Sequence, residues 1–218
     1  PCLTKKNHHL GPSTFNLRIG AMISGDVIVD DPLLLQGIAR RKSLEIMEHL
    51  EGTWVGDGVG EYAPHLSKFP FEHTLIIEKA IPHNSRKLHW AYRSIAKHKE
   101  TKEGLHMETG FLRFFPEAID HGKLEMTCSS SNGLSEVNEG TYTQDSFDVW
   151  TRYNGITRAQ NATRPYVTEV RRICEIRPQN EPISMEYRVE MATERSAMRP
   201  HLLSRLRKLP VDGGQIEG

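Results

Sequence analysis

About nine stretches between Trp54 and Thr193 alternate apolar and polar residues with a period of two, and this constrains the chain more than any other feature. The clearest is I-S-M-E-Y-R-V-E-M. Ile183, Met185, Tyr187, Val189 and Met191 share one face, and Ser184, Glu186, Arg188 and Glu190 share the other. K-L-E-M-T-C repeats the pattern with Leu124, Met126 and Cys128, and S-F-D-V-W with Phe147 and Val149. Stretches such as K-E-T-K-E-G, S-S-N-G and R-P-Q-N-E-P join these runs as turns. Strands in series, joined by short turns with no helices between them, predict an antiparallel meander. No fixed repeat period explains the spacing, which disfavours a propeller or solenoid.

So many strands remove their edges either as a sandwich or as a closed barrel. An up-and-down barrel of more than eight strands is wider than side chains fill, which places function inside it. In a sandwich the inner faces simply meet, and period alone does not separate the two. The other elements are minor. G-A-M-I-S-G-D-V-I-V-D-D is apolar enough for a strand, packed on the main domain or on a second copy as in a homodimer. From Ser43, as N-cap, Leu44, Met47 and Leu50 predict a short helix. Residues 198–209 predict a short amphipathic helix, with Leu202, Leu206 and Leu209 on its apolar stripe and His201 off it. The expected organisation is an extension over 1–40, partly ordered or flexible, a barrel domain over 41–210 and a tail over 211–218.

Charge and cysteine usage narrow the partners. Lys+Arg and Asp+Glu both total 28, so the net charge is zero and the basic field that holds nucleic acid is absent. The three cysteines, Cys2, Cys128 and Cys174, form neither a disulfide framework nor a zinc motif, which points to a reducing, cytoplasmic or nuclear setting. No apolar run reaches the roughly 18 residues of a membrane span.

L-E-G-T-W-V-G-D-G-V-G-E-Y, residues 50–62, sets Gly52, Gly56, Gly58 and Gly60 on one strand face with Trp54. Glycine weakens a strand unless the backbone bends there or something packs closely on it. This G-x-W-x-G-x-G run resembles the first strand of fatty-acid-binding-protein-like and lipocalin-like barrels, where the tryptophan closes the floor. Behind it, in order, stand G-L-H-M-E-T-G-F-L-R-F-F (104–115), S-S-N-G-L-S-E-V-N-E-G-T-Y (130–142) and M-A-T-E-R-S-A-M-R-P-H-L-L-S-R-L-R-K-L (191–209). Together they resemble nitrobindin, a family of haem-binding barrels that act on nitric oxide and peroxynitrite.

The resemblance, from about Ser43 to Leu209, implies an all-β, ten-stranded antiparallel up-and-down barrel with short flanking helices. It also implies one ferric haem b per chain and isomerisation of peroxynitrite to nitrate. His201, in the P-H-L run, becomes the iron ligand and the catalytic group, and His106 falls on the opposite, distal side. Imidazole suits haem iron, and Pro200 stiffens the backbone that aims it. The chain departs from the family at Y-A-P-H-L, where relatives read Y-P-T-I or Y-P-T-L with the threonine close to haem. His65 occupies the threonine's position, either as a polar distal group or as a sixth iron ligand. Two other classes stay open: a haem-free module for a lipid or other apolar ligand, and a protein-interaction domain, since related domains occur fused to DNA-binding modules.

Overall fold

A computed structural model describes residues 21–23, 27–29, 31–62, 66–80 and 88–210. His65, Cys2 and the tail 211–218 lie outside the described residues. The elements run β1 (Ala21–Ile23), β2 (Val27–Val29), α1 (Pro32–Leu50), β3 (Gly52–Tyr62), β4 (Leu66–Lys79), β5 (Leu88–His98) and β6 (Gly104–Pro116). They continue as β7 (His121–Ser130), β8 (Leu134–Thr143), β9 (Ser146–Arg158), β10 (Val167–Arg177), β11 (Ser184–Thr193) and β12 (Ser196–Lys208). Strands β3 to β12 close into one barrel in which every sequential pair is antiparallel and β12 returns to β3. The meander and the ten-stranded closure are as expected. β1 and β2 pair with each other, antiparallel, as a separate two-stranded sheet, so two short strands stand where one was predicted.

Two helix expectations are corrected. α1 begins at Pro32, eleven residues before Ser43, so Ser43 lies inside the helix and is not its cap. Asp31 caps it instead: its Oδ1 accepts a hydrogen bond from the Leu33 amide at 2.9 Å, and its carbonyl from the Leu35 amide at 3.0 Å. Proline at the first helical position behind an aspartate is a standard start signal. The expected boundary at residue 40 falls within this helix.

The second correction concerns residues 198–209, which are strand β12 and not a helix. Leu202 and Leu206 satisfy a helical spacing, but they also alternate with Leu203 and Arg205. Leu206 and Ser204 are buried, whereas Leu203, Arg205 and Arg207 are exposed. Closure decides between the two periods, because β12 pairs with β3 from Lys208↔Trp54 to Leu202↔Gly60 and with β11 on its other edge. As a helix it would leave both neighbours with unpaired backbone.

The interior is layered. At the end where α1 enters, Leu50, Trp54, Leu75, Leu88, Trp90, Leu112, Phe114 and Leu124 belong to one apolar core. Trp54 is fully buried, and its indole donates to the Leu50 carbonyl at 2.8 Å, tying the helix end to β3. Gly52, with φ of 130°, makes the turn between them. Above this core lies a belt of buried polar side chains, contributed by nearly every strand: His73, Ser94, Glu108, Glu136, Asn138, Thr151, Arg172, Tyr187 and Ser204. Beyond the belt is the end formed by Tyr62 of β3, His106 of β6, Thr193 of β11 and His201 of β12.

Candidate functional site

His201 stands at an irregularity in β12. Glu190 pairs with Pro200 and Val189 with Leu202, so His201 is the extra residue of a bulge. Bulges re-aim side chains, and here the half-buried imidazole packs edge-on against Tyr62, with ring centroids 5.7 Å apart. Its Nδ1 lies 3.1 Å from the Glu61 carbonyl oxygen. A carbonyl only accepts, so Nδ1 carries the proton and Nε2 keeps its lone pair; Nε2 has no hydrogen-bond partner among the described residues. Burial lowers the His201 pKa, partly offset by the Glu61 bond, which keeps the ring neutral.

His106 lies on the inward parity of β6, half-buried, with Nε2 2.9 Å from Oε1 of Glu108. His106 and Glu108 both act electrostatically on His201, which brings the two histidines to one end of the barrel. Along β3, Gly52 and Trp54 lie on the α1 side of the belt, Gly56 pairs with His73 at the belt, and Gly58 and Gly60 pair with Phe71 and Phe69 toward Tyr62. A Cβ on Gly56 would stand 2.0 Å from the Arg205 carbonyl oxygen, and one on Gly58 2.3 Å from the Phe71 ring. These glycines admit close packing of β12 and of a buried phenylalanine, one of the two roles that the sequence left open.

Sequence reasoning missed the belt beneath the histidines. Arg172, with its side chain 1% exposed, bonds Glu136 through one terminal nitrogen at 2.6 Å and Glu108 through the other at 2.9 Å. Tyr92 donates its hydroxyl to Glu108 Oε2 at 2.5 Å. Asn138 donates to Glu136 at 3.3 Å and accepts from Thr151 at 3.2 Å. Burial raises the Glu108 pKa, but Arg172, His106 and Tyr92 together outweigh it and hold the carboxyl well below its usual range. His73 sits between Ser204 and Ser94, each at 2.9 Å, and burial lowers its pKa to about 4. Arg172 Nε and the Tyr187 hydroxyl are buried without a hydrogen-bond partner among the described residues.

A separate cavity of about 520 Å³ lies on the outer wall, lined by Phe111, Thr127, Val137 and Asn154 among others. Phe111 is 50% and Val137 44% exposed, so it faces away from the barrel interior, and no histidine lines it.

A family model described as THAP4-like, heme-binding beta-barrel domain matches residues 43–208. The chain belongs to this family, the nitrobindins. Among nitrobindin relatives, the peroxynitrite isomerase Rv2717c of Arabidopsis thaliana is 29% identical over 163 residues, covering 75% of this chain and 87% of that protein. Peroxynitrite isomerase 2 of Mycobacterium ulcerans (strain Agy99) is 28% identical over 165 residues, covering 76% and 94%. Peroxynitrite isomerase THAP4 of Mus musculus is 29% identical over 162 residues, 73% of this chain, which spans only 26% of that longer protein. The nitrobindin fold is matched in the crystal structure of Rv2717c from M. tuberculosis, with a TM-score of 0.64 at 23% identity, covering 77% of this chain and 98% of that one. The S-type phycobiliprotein lyase CPES from Guillardia theta shares the fold at a TM-score of 0.53 and 12% identity, covering 80% and 97%.

The donor chemistry at the histidine end fits the nitrobindin cofactor. Haem iron takes a neutral imidazole nitrogen whose ring is oriented by a hydrogen bond at the other nitrogen, and His201 has that arrangement with Glu61. Met191, Leu202, Ile156 and Tyr166 are partly buried apolar side chains packed against the core, suited to a flat apolar group.

Proposed function

We propose that this chain binds one ferric haem b at the histidine end of the barrel, with His201 as the iron ligand, and isomerises peroxynitrite to nitrate. The observation that carries the reading is the His201 ring, pinned through Nδ1 to the Glu61 carbonyl and presenting Nε2 unprotonated. The relatives named for peroxynitrite isomerisation support the choice of substrate. Bound haem supplies the iron chemistry on which that rearrangement depends.

The chain's own residues do the rest. The bulge at His201 sets the ring's position, and burial keeps it neutral, so no proton competes for Nε2. His106 stands within electrostatic reach as the distal polar group. Leu202 and Met191 limit water, and the Arg172 belt closes the interior below. His65 is the remaining candidate on the distal side, as a polar group or a sixth ligand.

Haemin titration of the full chain, followed by absorption, tests the reading. Wild type is expected to give a saturable Soret band at one equivalent. His201→Ala is expected to lose at least tenfold in haemin affinity, the range seen when metal-site supports are removed. A change of spin state in His65→Ala would identify a sixth ligand. Nitrate yield from added peroxynitrite, compared between loaded wild type and His201→Ala, reads the reaction itself. A wild-type spectrum no different from free haemin would exclude the cofactor and direct the search to an apolar ligand.

A further inference from the structure

Two imidazoles stand at the same end of the barrel, and each has one ring nitrogen committed to a fixed partner. For His201 the partner is a carbonyl at Nδ1. For His106 it is Glu108 at Nε2. Glu108 accepts from three sides: His106 Nε2 and Arg172 Nη2 approach Oε1, each at 2.9 Å, and Tyr92 Oη approaches Oε2 at 2.5 Å. A carboxylate so placed beside an arginine offers no proton of its own, so the proton in the bond to His106 lies on Nε2. Glu108 is itself immobilised, because Arg172 is clamped on its other side by Glu136, which holds Asn138, which holds Thr151. The chain of contacts runs across β6, β10, β8 and β9, and all of it is buried or nearly so.

We propose that Glu108 is a positioning residue for His106: anchored by Arg172 and Tyr92, it holds His106 as the Nε2–H tautomer and leaves Nδ1 as the acceptor offered to a ligand. The two nitrogens of an imidazole point to opposite sides of the ring, so Nδ1 is directed away from the belt. The two histidines then present complementary lone pairs, Nε2 from His201 and Nδ1 from His106. Through Nδ1 the Nε2–H tautomer accepts a hydrogen bond from a ligand bearing an O–H, such as water or peroxynitrous acid, and does not donate one to a bare anion. The identity of that ligand rests on the function proposed above; the tautomer is a property of the haem-free chain.

The test uses ¹⁵N-histidine-labelled full chain without haem, at pH 8, where an ordinary histidine is neutral. Long-range ¹H–¹⁵N correlation reads the tautomer, and His106→Gln assigns the signal by its disappearance. Wild type is expected to show the Nε2–H form of His106 in roughly tenfold excess or more, since charge-assisted hydrogen bonds are worth at least a factor of ten. Glu108→Leu, close in volume, is expected to abolish that excess. An Nδ1–H form or an even mixture in wild type overturns the proposal, as does an undiminished excess in folded Glu108→Leu. If Glu108→Leu does not fold, the wild-type tautomer still decides. Haemin titration of the same samples separates the two readings. Absent haem binding with a fixed tautomer sinks only the cofactor, and haem binding with a mixed tautomer sinks only the role of Glu108.

Discussion

At the scale of single residues, the unexpected feature is how much charge and polarity the barrel interior holds. Each belt residue is legible in retrospect by parity. His106 and Glu108 share a face with Leu112 and Phe114, Glu136 and Asn138 with Leu134 and Tyr142, and Arg172 with Val170 and Cys174. The alternation was visible, but reading it for apolar residues alone passes over polar ones on the inward face. Such groups persist inside only when partnered. His73 carries a measurable consequence. Its pKa is near 6.5 in the unfolded chain and about 4 when folded, because burial penalises the charged ring. Between these values the unfolded chain binds more protons, so stability is full above pH 6.5 and falls as pH drops toward 4. Denaturant unfolding at pH 7 and pH 5 should show His73 contributing a loss of about 2 kcal/mol, and the loss should shrink in His73→Gln. Equal pH dependence in the two proteins would rule His73 out as its source.

At the scale of elements, the sequence was read well where one period had no rival. β7, β9 and β11 have the buried faces that their alternation predicts, with Leu124, Met126, Phe147, Val149, Met185 and Tyr187 inside. β12 carries two periods: Leu202, Leu206 and Leu209 fit a helix, while the alternation of Ser204 and Leu206 with Arg205 and Arg207 fits a strand. What separates them is the edge of β3, which pairs with β12 from Leu202↔Gly60 to Lys208↔Trp54 and lies far away in the chain, where no local pattern records it. α1 starts at the Asp31–Pro32 signal, upstream of the apolar spacing that points to Ser43. The sequence leaves a bend or a close contact open for the glycines of β3, and the neighbours of Gly58 and Gly37 give a sharp contrast. Gly58→Ala forces a methyl group to within 2.3 Å of the buried Phe71 ring, and an overpacking cost of about 1–3 kcal/mol is expected. Gly37→Ala, on α1, meets nothing within 4 Å and should stabilise by up to about 1 kcal/mol. Melting temperatures that move in the same direction for both would contradict this account.

At the scale of the whole molecule, strand order followed from the meander and closure from the family resemblance, whereas the polar layering of the interior followed from neither. Period two alone left sandwich and barrel open and the family resemblance chose the barrel; the β3–β12 ladder closes it and sets His201 against Tyr62. The closed wall is not uniform. The β9–β10 ladder runs from Ser146↔Glu175 to Trp150↔Arg171 and stops there. At the next position the Thr151 hydroxyl stands in for a strand, accepting from the Val170 amide at 2.9 Å and sharing its one proton between the Val170 carbonyl at 3.0 Å and Asn138 Oδ1 at 3.2 Å. A rotation about one side-chain bond releases both contacts with Val170, while any other seam must break a row of backbone bonds. Under native conditions the Val170 amide should therefore trade its proton for deuterium well before the ladder amides of β3 and β12, and mass-resolved exchange would show it. The barrel then breathes sideways, through a slit beside Asn138 and Arg172, while its hoop of strands stays shut.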